Sequence, residues 1–224
     1  MLTLALDTTA EFGSVALIRD GHVLAETLLH APEGFSTILF QQIEALLNRE
    51  GLLLSDIDLF TAASGPGSFT GVRIGLAAVK GLGEVLGKPV VPVSNLEALS
   101  HYSSAPLRAT VLDARRGEVF AALYAGDGSL VIDEQVIRFP HFLGLLGERD
   151  FEWVTTSFEP FVPALAGTRF ADLPVSLAPR ALASAIGRIA EARALQGEPG
   201  DPASVEANYV RRSDAELLWR EPGL

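Results

Sequence analysis

Short apolar runs alternate with two long helical segments in the first half of the chain. Asp20-Gly21 separates two of these runs and is typical of a hairpin turn. Residues 35–50 contain neither proline nor glycine, which predicts a helix that ends at Gly51. The apolar pattern predicts strands at residues 2–7, 14–19, 23–28, 57–63 and 90–93, and helices at 35–50, 71–86 and 95–102.

The same order of elements restarts in the second half, with a strand, an aspartate at its end and a hairpin. We predict strands at residues 109–113, 118–124, 130–138 and 153–156, and helices at 139–146 and 181–196. A Pro/Gly-rich break follows at 197–202, and we expect the tail at 207–212 to pack back on the body. This repetition suggests two related α/β lobes, 1–105 and 106–224, on the plan of actin-like and sugar-kinase-like folds.

A glycine-rich turn from Gly65 to Gly75 lies between a predicted strand and a predicted helix. Glycines allow close backbone approach, Ser68 or Thr70 can cap the helix, and a helix N-terminus favours an anion. The lysine of a phosphate-binding P-loop is missing, however, and the spacing G-x-G-x-x-G is not met. A tight strand-to-helix corner and an anion site therefore both remain open.

A carboxylate and hydroxyls at the end of the first strand form the second candidate feature. Asp7, Thr8 and Thr9, with Ser14 entering the next strand, resemble the hairpin that holds Mg-phosphate in actin-like ATPases. Local turn capping explains the same residues equally well. The candidate phosphate site consists of Asp7, Thr8, Thr9, Ser14, Gly65, Gly67 and Ser68.

The corresponding turn of the second half carries Arg115 and Arg116 after Asp113. Two long cations there would fill the space that phosphates need, so we expect no nucleotide to bind to this chain alone. The four histidines are scattered and form no metal-binding pair, and no G-x-S-x-G nucleophile motif is present. We therefore predict neither a metal site nor a catalytic residue.

Composition narrows the possible functions further. The net charge is −11, which disfavours autonomous RNA binding, because that binding depends on Lys and Arg neutralising phosphates. The chain has no cysteine, which excludes disulfides and thiolate zinc sites. No basic n-region precedes the first apolar run, and no apolar stretch is long enough to span a bilayer. We expect a cytoplasmic protein with 48% apolar residues and a sizeable core.

The two first-half helices carry more apolar and small residues than one core-facing surface is expected to bury. Glycines in the second helix cost helix propensity, roughly 1 kcal/mol each against alanine, so a close packing role is plausible. Packing beneath another part of the chain is the alternative to a subunit interface. The candidate interface residues are Phe35, Leu39, Ile43, Leu46, Arg73, Gly75, Ala78 and Leu82.

Several stretches together resemble the TsaB (YeaZ) family over nearly the whole chain. They are Leu4-Ala-Leu-Asp-Thr-Thr9, Gly13-Ser-Val-Ala-Leu17, the Gly65 to Gly75 turn, Lys80-Gly-Leu82, Val93-Ser-Asn-Leu-Glu-Ala-Leu99, Asp113-Ala-Arg-Arg-Gly-Glu-Val119 and Tyr209-Val-Arg211. The glycine-rich turn is the most specific of them. The resemblance implies a degenerate, two-lobed actin-like fold related to the catalytic subunit TsaD.

The resemblance also implies a function and a set of partners. TsaD transfers threonylcarbamoyl to an adenosine of ANN-decoding tRNAs, and two histidines on its first helix hold metal. The corresponding helix here offers Phe35, Ser36 and Leu39 instead. The implied role is a non-catalytic subunit that scaffolds and activates TsaD together with the ATPase TsaE. Such a subunit forms a homodimer when alone and meets tRNA only through the complex, where ATP and Mg²⁺ can also bind.

Two rival functions remain at this point. An ATP-dependent phosphotransferase or ATPase acting alone would use Asp7, Thr8, Thr9 and the glycine-rich turn. An autonomous RNA-binding protein would bind tRNA in a salt-dependent way. The acidic composition argues against the second rival.

Overall fold

The computed structural model describes residues 1–198 and 200–210, and this part of the chain folds around two five-stranded sheets. The first sheet contains β1 (Leu2–Asp7), β2 (Phe12–Arg19), β3 (His22–His30), β4 (Leu59–Ala63) and β5 (Val90–Val93). The second contains β6 (Leu107–Asp113), β7 (Glu118–Ala125), β8 (Leu130–Arg138), β9 (Glu152–Thr155) and β10 (Val175–Leu177). The helices are α1 (Leu39–Arg49), α2 (Phe69–Leu86), α3 (Asn95–Ser100), α4 (Phe139–Leu146), α5 (Val162–Leu165) and α6 (Ala183–Leu195).

The two sheets have the same topology. The first has the order β3-β2-β1-β4-β5, in which the first three strands in sequence are antiparallel and β4 and β5 extend the sheet in parallel. The second repeats this pattern as β8-β7-β6-β9-β10. The prediction of two related α/β lobes is therefore confirmed, although β10 was not predicted from the sequence.

Helices cover the sheets in alternating layers. Helices α1 and α2 cover the outer face of the first sheet, and α4 and α5 cover the outer face of the second. Helices α3 and α6 lie between the sheets. Strand β1 is buried on both faces, because Leu4 and Leu6 pack under α1 and α2 whereas Ala5 faces the central layer.

Helix α6 belongs to the predicted second lobe but packs on the first sheet. A Cβ atom at Gly187 would lie 2.3 Å from Ile18 Cδ1 of β2, so the helix approaches the sheet closely. The buried Glu191 carboxylate accepts hydrogen bonds from Thr3 Oγ1 at 2.8 Å and from the Gly21 amide at 2.6 Å. A boundary near residue 105 separates the two sheets, but α6 crosses back over it.

The last described segment, residues 200–210, runs along α2 and the ends of β4 and β5, and we call it the strap. The Val90 amide donates to the Gly200 carbonyl at 2.8 Å, and Lys80 Nζ donates to the Val205 carbonyl at 2.9 Å. The Asn208 amide donates to the carbonyl of residue 64 at 2.8 Å. The predicted packing of the tail is thus confirmed for residues 207–210, while residues 211 and 212 lie outside the described residues.

The first residues of α1 and α2 differ from the prediction. Helix α2 begins two residues earlier than expected, because Ser68 caps it by accepting a hydrogen bond from the Gly71 amide at 3.3 Å. Helix α1 begins at Leu39 after a turn in which Phe35 is buried against β2.

Candidate functional site

The loop after β1 and the glycine-rich turn before α2 pack directly on each other. The Ser68 amide donates a hydrogen bond to the Thr9 carbonyl at 2.6 Å. The Thr8 hydroxyl donates to the Gly71 carbonyl at 2.7 Å. The two features that together predicted a phosphate site therefore bind each other in the folded chain.

Glycine is required in this turn because the neighbouring loop leaves no room for a side chain. A Cβ atom at Gly67 would lie 2.5 Å from the Thr9 carbonyl oxygen, and one at Gly71 would lie 2.0 Å from that of Thr8. At Gly75 the Cβ atom would lie 2.6 Å from Thr8 Oγ1. The geometry on this side of the turn favours the tight-corner interpretation, whereas Gly67 and Ser68 also line a cleft between the lobes.

Asp7 lies at the end of β1 with its carboxyl group buried. Its Oδ1 accepts hydrogen bonds from the Thr9 amide at 3.0 Å and from Thr9 Oγ1 at 2.7 Å. Burial raises the pKa of this carboxyl, and the hydrogen bonds from Thr9 and Asn95 oppose the shift. The capping role proposed as the alternative for Asp7 is present in the structure.

The remaining members of the predicted phosphate site lie apart from a common pocket. Ser14 Oγ accepts a hydrogen bond from the Ala183 amide at 2.9 Å, so it fixes the start of α6 on β2. Gly65 adopts a φ of 104°, which favours glycine, and a Cβ atom there would lie 3.1 Å from the Asn208 carbonyl oxygen of the strap. Ser14 and Gly65 thus have structural partners of their own.

The second-lobe turn places Arg115 and Arg116 in left-handed backbone conformation, with φ of 67° and 57°. Asp113 holds this turn by accepting a hydrogen bond from the Arg115 amide at 2.8 Å, and the two side chains form an ion pair at 3.6 Å. Arg115 lines the cleft between the lobes. The Arg115 side chain is 82% exposed, and the prediction that the two cations fill the space of phosphates stays a prediction.

The premise for the partner interface is wrong for most of the predicted residues. Phe35, Leu39, Ile43, Leu46, Gly75 and Ala78 are buried inside this chain. The α1 residues recur at spacings of four and three, which follow one helical face, so a one-sided core does bury them. Of the predicted set, Arg73 is exposed and Leu82 is half-buried.

A different set of residues forms the exposed side of α1 and α2. Phe40 is 58% exposed on α1, and Val85 is 83% exposed on α2. A groove of about 210 Å³ is lined in part by Phe40, Leu53 and Leu82, and Leu82 precedes Val85 by three positions on α2. The sequence analysis did not single out Phe40 and Val85 as candidate interface residues. The sequence signal for Phe40 is that it is a large apolar residue outside the buried positions 39, 43, 46 and 47 of α1.

Arg73 packs against the strap at one edge of this surface. Its guanidinium lies 3.7 Å from the centre of the Phe69 ring, and its Nε donates to the Tyr209 hydroxyl at 2.9 Å. The rings of Phe69 and Tyr209 are 5.4 Å apart. The strap and the N-terminal part of α2 therefore form one continuous surface.

A cleft of about 1110 Å³ lies between the two lobes. Its lining includes Asp7 and Asn95 from the first lobe, and Arg115, Ser157 and Arg180 from the second half of the chain. Sequence analysis missed Asn95 and Arg180, because their position at the cleft depends on how the two lobes pack.

Within residues 1–198 and 200–210, no group of three or more His, Cys, Asp or Glu side chains could hold a metal ion. No helix in the same ranges has both the length and the apolar character needed to cross a membrane.

Sequence comparisons relate the chain to proteins of tRNA modification. The family model described as "TsaD: tRNA N6-adenosine threonylcarbamoyltransferase" matches residues 30–171. The tRNA threonylcarbamoyladenosine biosynthesis protein TsaB of Bacillus subtilis is 30% identical, and the match covers 99% of each chain. TsaB of Escherichia coli is 37% identical over 57% of this chain and 56% of its own.

Structural comparisons agree with the sequence relationships. A crystal structure from Pseudomonas aeruginosa, described as an uncharacterized protein similar to peptidase YEAZ, superimposes with a TM-score of 0.77 at 29% identity. That match covers 94% of this chain and 99% of the other. The activator of 2-hydroxyisocaproyl-CoA dehydratase from Clostridium difficile matches with a TM-score of 0.53 at 11% identity, which reflects the shared fold alone. The expected actin-like fold is confirmed.

Proposed function

Because the chain belongs to the TsaB family of tRNA threonylcarbamoyladenosine biosynthesis proteins, we propose that it is a non-catalytic subunit required for that modification of ANN-decoding tRNAs. The subunit binds TsaD, stabilises its active conformation, and works together with TsaE. In isolation the subunit forms a homodimer through the surface that otherwise binds TsaD. The match over the full length of a TsaB protein is the observation that carries this proposal.

Two features of the first lobe support a non-catalytic role. The segment that corresponds to the metal-binding helix of TsaD has Phe35 and Ser36 in the turn before α1 and Leu39 at its start, and none of these residues is a histidine. The glycine-rich turn is packed against Thr8 and Thr9 on one side, and it lacks the lysine of a phosphate-binding P-loop. ATP and Mg²⁺, where the complex uses them, are therefore held by the partners or between subunits.

The acidic composition supports indirect contact with tRNA. A net charge of −11 makes phosphate binding by this chain unfavourable, so tRNA is held by a more basic partner. Since tRNA modification takes place in the cytoplasm, we assign the chain to the same compartment.

The exposed side of α1 and α2 is the surface that we assign to the TsaD contact. Phe40 and Val85 are large, apolar and exposed there, and the groove beside Leu53 and Leu82 offers a pocket for a partner side chain. Small residues Ala77 and Gly81 lie exposed between Arg73 and Val85 along α2, and they allow close approach of a partner helix.

Substitution of the exposed apolar residues tests this proposal. We expect the double variant Phe40→Asp/Val85→Asp to lose TsaD binding and to reduce tRNA modification by tenfold or more in an assay reconstituted from purified subunits. Its melting temperature should stay close to that of the unchanged chain, because both side chains are exposed in the monomer. Substitution of Ile43 or Gly75 would be uninformative, since both residues are buried.

The matched control is Leu195→Asp at the end of α6, where the leucine is 81% exposed outside the proposed surface. This variant should bind TsaD and support modification normally. Equal activity of the double variant and the control would contradict the assigned surface. Modification that proceeds equally well without this chain would contradict the proposed function itself.

The rival ATPase function has a direct test of its own. Calorimetry of the isolated chain with Mg-ATP should show neither micromolar binding nor turnover. The packed glycine-rich turn is the reason for this expectation.

A further inference from the structure

The floor of the interlobe cleft contains a chain of hydrogen bonds that ends in an unpaired acceptor. Asn95 Nδ2 donates to Thr9 Oγ1 at 2.9 Å, and Thr9 Oγ1 donates to Asp7 Oδ1 at 2.7 Å. The threonine hydroxyl has one hydrogen, which it gives to Asp7, so it must accept from the amide nitrogen of Asn95. This order fixes the amide of Asn95 with its nitrogen towards Thr9.

The carbonyl oxygen of that amide is left without a hydrogen-bond partner among the described residues. Asn95 is 1% exposed, lines the cleft, and has no recorded partner for Oδ1. A buried acceptor without a partner costs roughly 1–3 kcal/mol, so such groups in native proteins call for an explanation. A ligand with an O–H or N–H group would supply the missing donor.

The acceptor atoms of the floor favour a hydrogen-bond donor over phosphate at this end of the cleft. Asn95 and Asp7 both present oxygen atoms, and oxygen acceptors attract hydrogen-bond donors rather than phosphate oxygens. The adjacent backbone amide of Ser68 already donates to Thr9. The deep end of a bound molecule must therefore carry a hydroxyl or amino group.

A cation from the second half of the chain lines the same cleft. The Arg180 guanidinium lies 4.3 Å from the centre of the Phe12 ring, which also lines the cleft and favours this position of the cation. Arg115 also lines the cleft, but Asp113 already forms an ion pair with it. Arg180 can bind a carboxylate with two parallel hydrogen bonds.

The overall charge of the lining favours a monoanion over a phosphate dianion. The carboxyl groups of Asp7, Glu11 and Asp113 line the same cleft as Arg115 and Arg180. A dianion would meet at least as many acidic as basic groups there. Apolar walls from Phe12, Phe35, Leu112, Phe120 and Pro160 add room for a hydrocarbon portion.

We propose that the interlobe cleft binds a small hydroxy or amino carboxylic acid with an apolar side chain. Its hydroxyl or amino group donates to Asn95 Oδ1, its side chain packs against the apolar walls, and its carboxylate pairs with Arg180. Asn95 and Arg180, which carry this proposal, are not among the residues assigned to the TsaD contact, so variants at these two positions test the cleft independently of that contact.

A matched pair of probes tests the proposal on the full chain. The compounds 3-phenyllactate and 3-phenylpropionate differ only in the hydroxyl group that would donate to Asn95. In an NMR titration of the ¹⁵N-labelled protein, phenyllactate should cause saturable shifts at the cleft, and phenylpropionate should bind about tenfold more weakly. Equal binding of the two probes, or no saturable shift up to about 10 mM, would overturn the proposal.

Two variants assign the binding to the named residues. Arg180→Gln removes the charge of an exposed side chain and should weaken phenyllactate binding about tenfold, whereas Arg19→Gln, an exposed arginine outside the cleft, should have no effect. Asn95→Ala should weaken binding to a similar extent, and its melting curve shows whether the fold is retained. If Asn95→Ala fails to fold, the binding measured for Arg180→Gln decides whether the proposal holds.

Inorganic phosphate serves as the competing probe. It should not displace phenyllactate from the cleft. Displacement by phosphate that depends on Arg180 would overturn the assignment of a carboxylate, and unchanged binding in Arg180→Gln would overturn the site as a whole.

Discussion

Asp7 ends β1 with a carboxyl group that is removed from solvent and held by Thr9. Burial raises its pKa above the ordinary value of 3.8. The native state therefore binds this proton more readily than the unfolded state. The stabilising contribution of Asp7 is complete below pH 3.8 and is lost as the pH rises through the elevated pKa.

This shift predicts the pH dependence of an isosteric variant. Asp7→Asn keeps an oxygen for the two Thr9 donors and cannot ionise. The free energy of unfolding of the variant, relative to the unchanged chain, should increase as the pH rises from about 4 to 7. Urea denaturation at a series of pH values measures this difference, and a difference that stays constant with pH would contradict the prediction.

The same residues show what a sequence can reveal about a site. Five members of the candidate phosphate site, Asp7, Thr8, Thr9, Gly67 and Ser68, lie close together, because strand ends and the turn that follows a parallel neighbour meet at one edge of a sheet. Their chemistry was less predictable. Whether the turn faces a ligand or its own chain depends on backbone separations of an ångström or less, and no pattern of residue types encodes those distances.

At the scale of elements, the glycines of α2 fall into two classes, those with no room for a Cβ atom and those with open space around them. Gly71 faces the Thr8 carbonyl at a distance that admits no Cβ atom, whereas a Cβ atom at Gly81 would meet nothing within 4 Å. Helical propensity favours alanine at both positions by roughly 1 kcal/mol. Packing reverses that preference at Gly71 but not at Gly81.

The two alanine variants therefore form a matched pair. Gly71→Ala should lower the free energy of unfolding by about 1–3 kcal/mol, because the loop after β1 has to move. Gly81→Ala should leave it unchanged or raise it by up to about 1 kcal/mol. Chemical denaturation measures both values, and equal effects at the two sites would contradict the packing argument.

Local pattern predicted nine of the ten strands within the described residues, since most of the strands are apolar runs bounded by turns. Strand β10 has only three residues, and its pattern is too short to identify. The packing of α6 on the first sheet could not be predicted either. Its partner Thr3 lies far away in sequence, and only the assembled fold brings the two together.

At the scale of the whole molecule, the strap links the two lobes through one carboxylate. Glu134 of β8 accepts hydrogen bonds from the Ser94 hydroxyl that caps α3, from the Tyr124 hydroxyl of β7, and from Asn208 Nδ2 of the strap. The first lobe, the second lobe and the strap thus share a single acceptor group.

Removal of the Asn208 side-chain amide should loosen the whole strap. The backbone amides of Val90 and residue 208 form hydrogen bonds between the strap and the first lobe. In Asn208→Leu we expect these two amides to exchange with solvent about tenfold faster or more. Hydrogen exchange measured by NMR tests this expectation, with Asn48→Leu on the exposed side of α1 as the control. Unchanged exchange at both amides would show that Asn208 does not hold the strap.

The return of α6 to the first sheet has a consequence for how the protein is made. The inner face of that sheet, where Ala5, Ala16 and Ile18 lie, is covered by a helix that ends at Leu195. While the chain is being translated, this face stays uncovered until residues 183–195 have left the ribosome. The nascent first lobe therefore exposes apolar surface that a chaperone can bind before the fold closes.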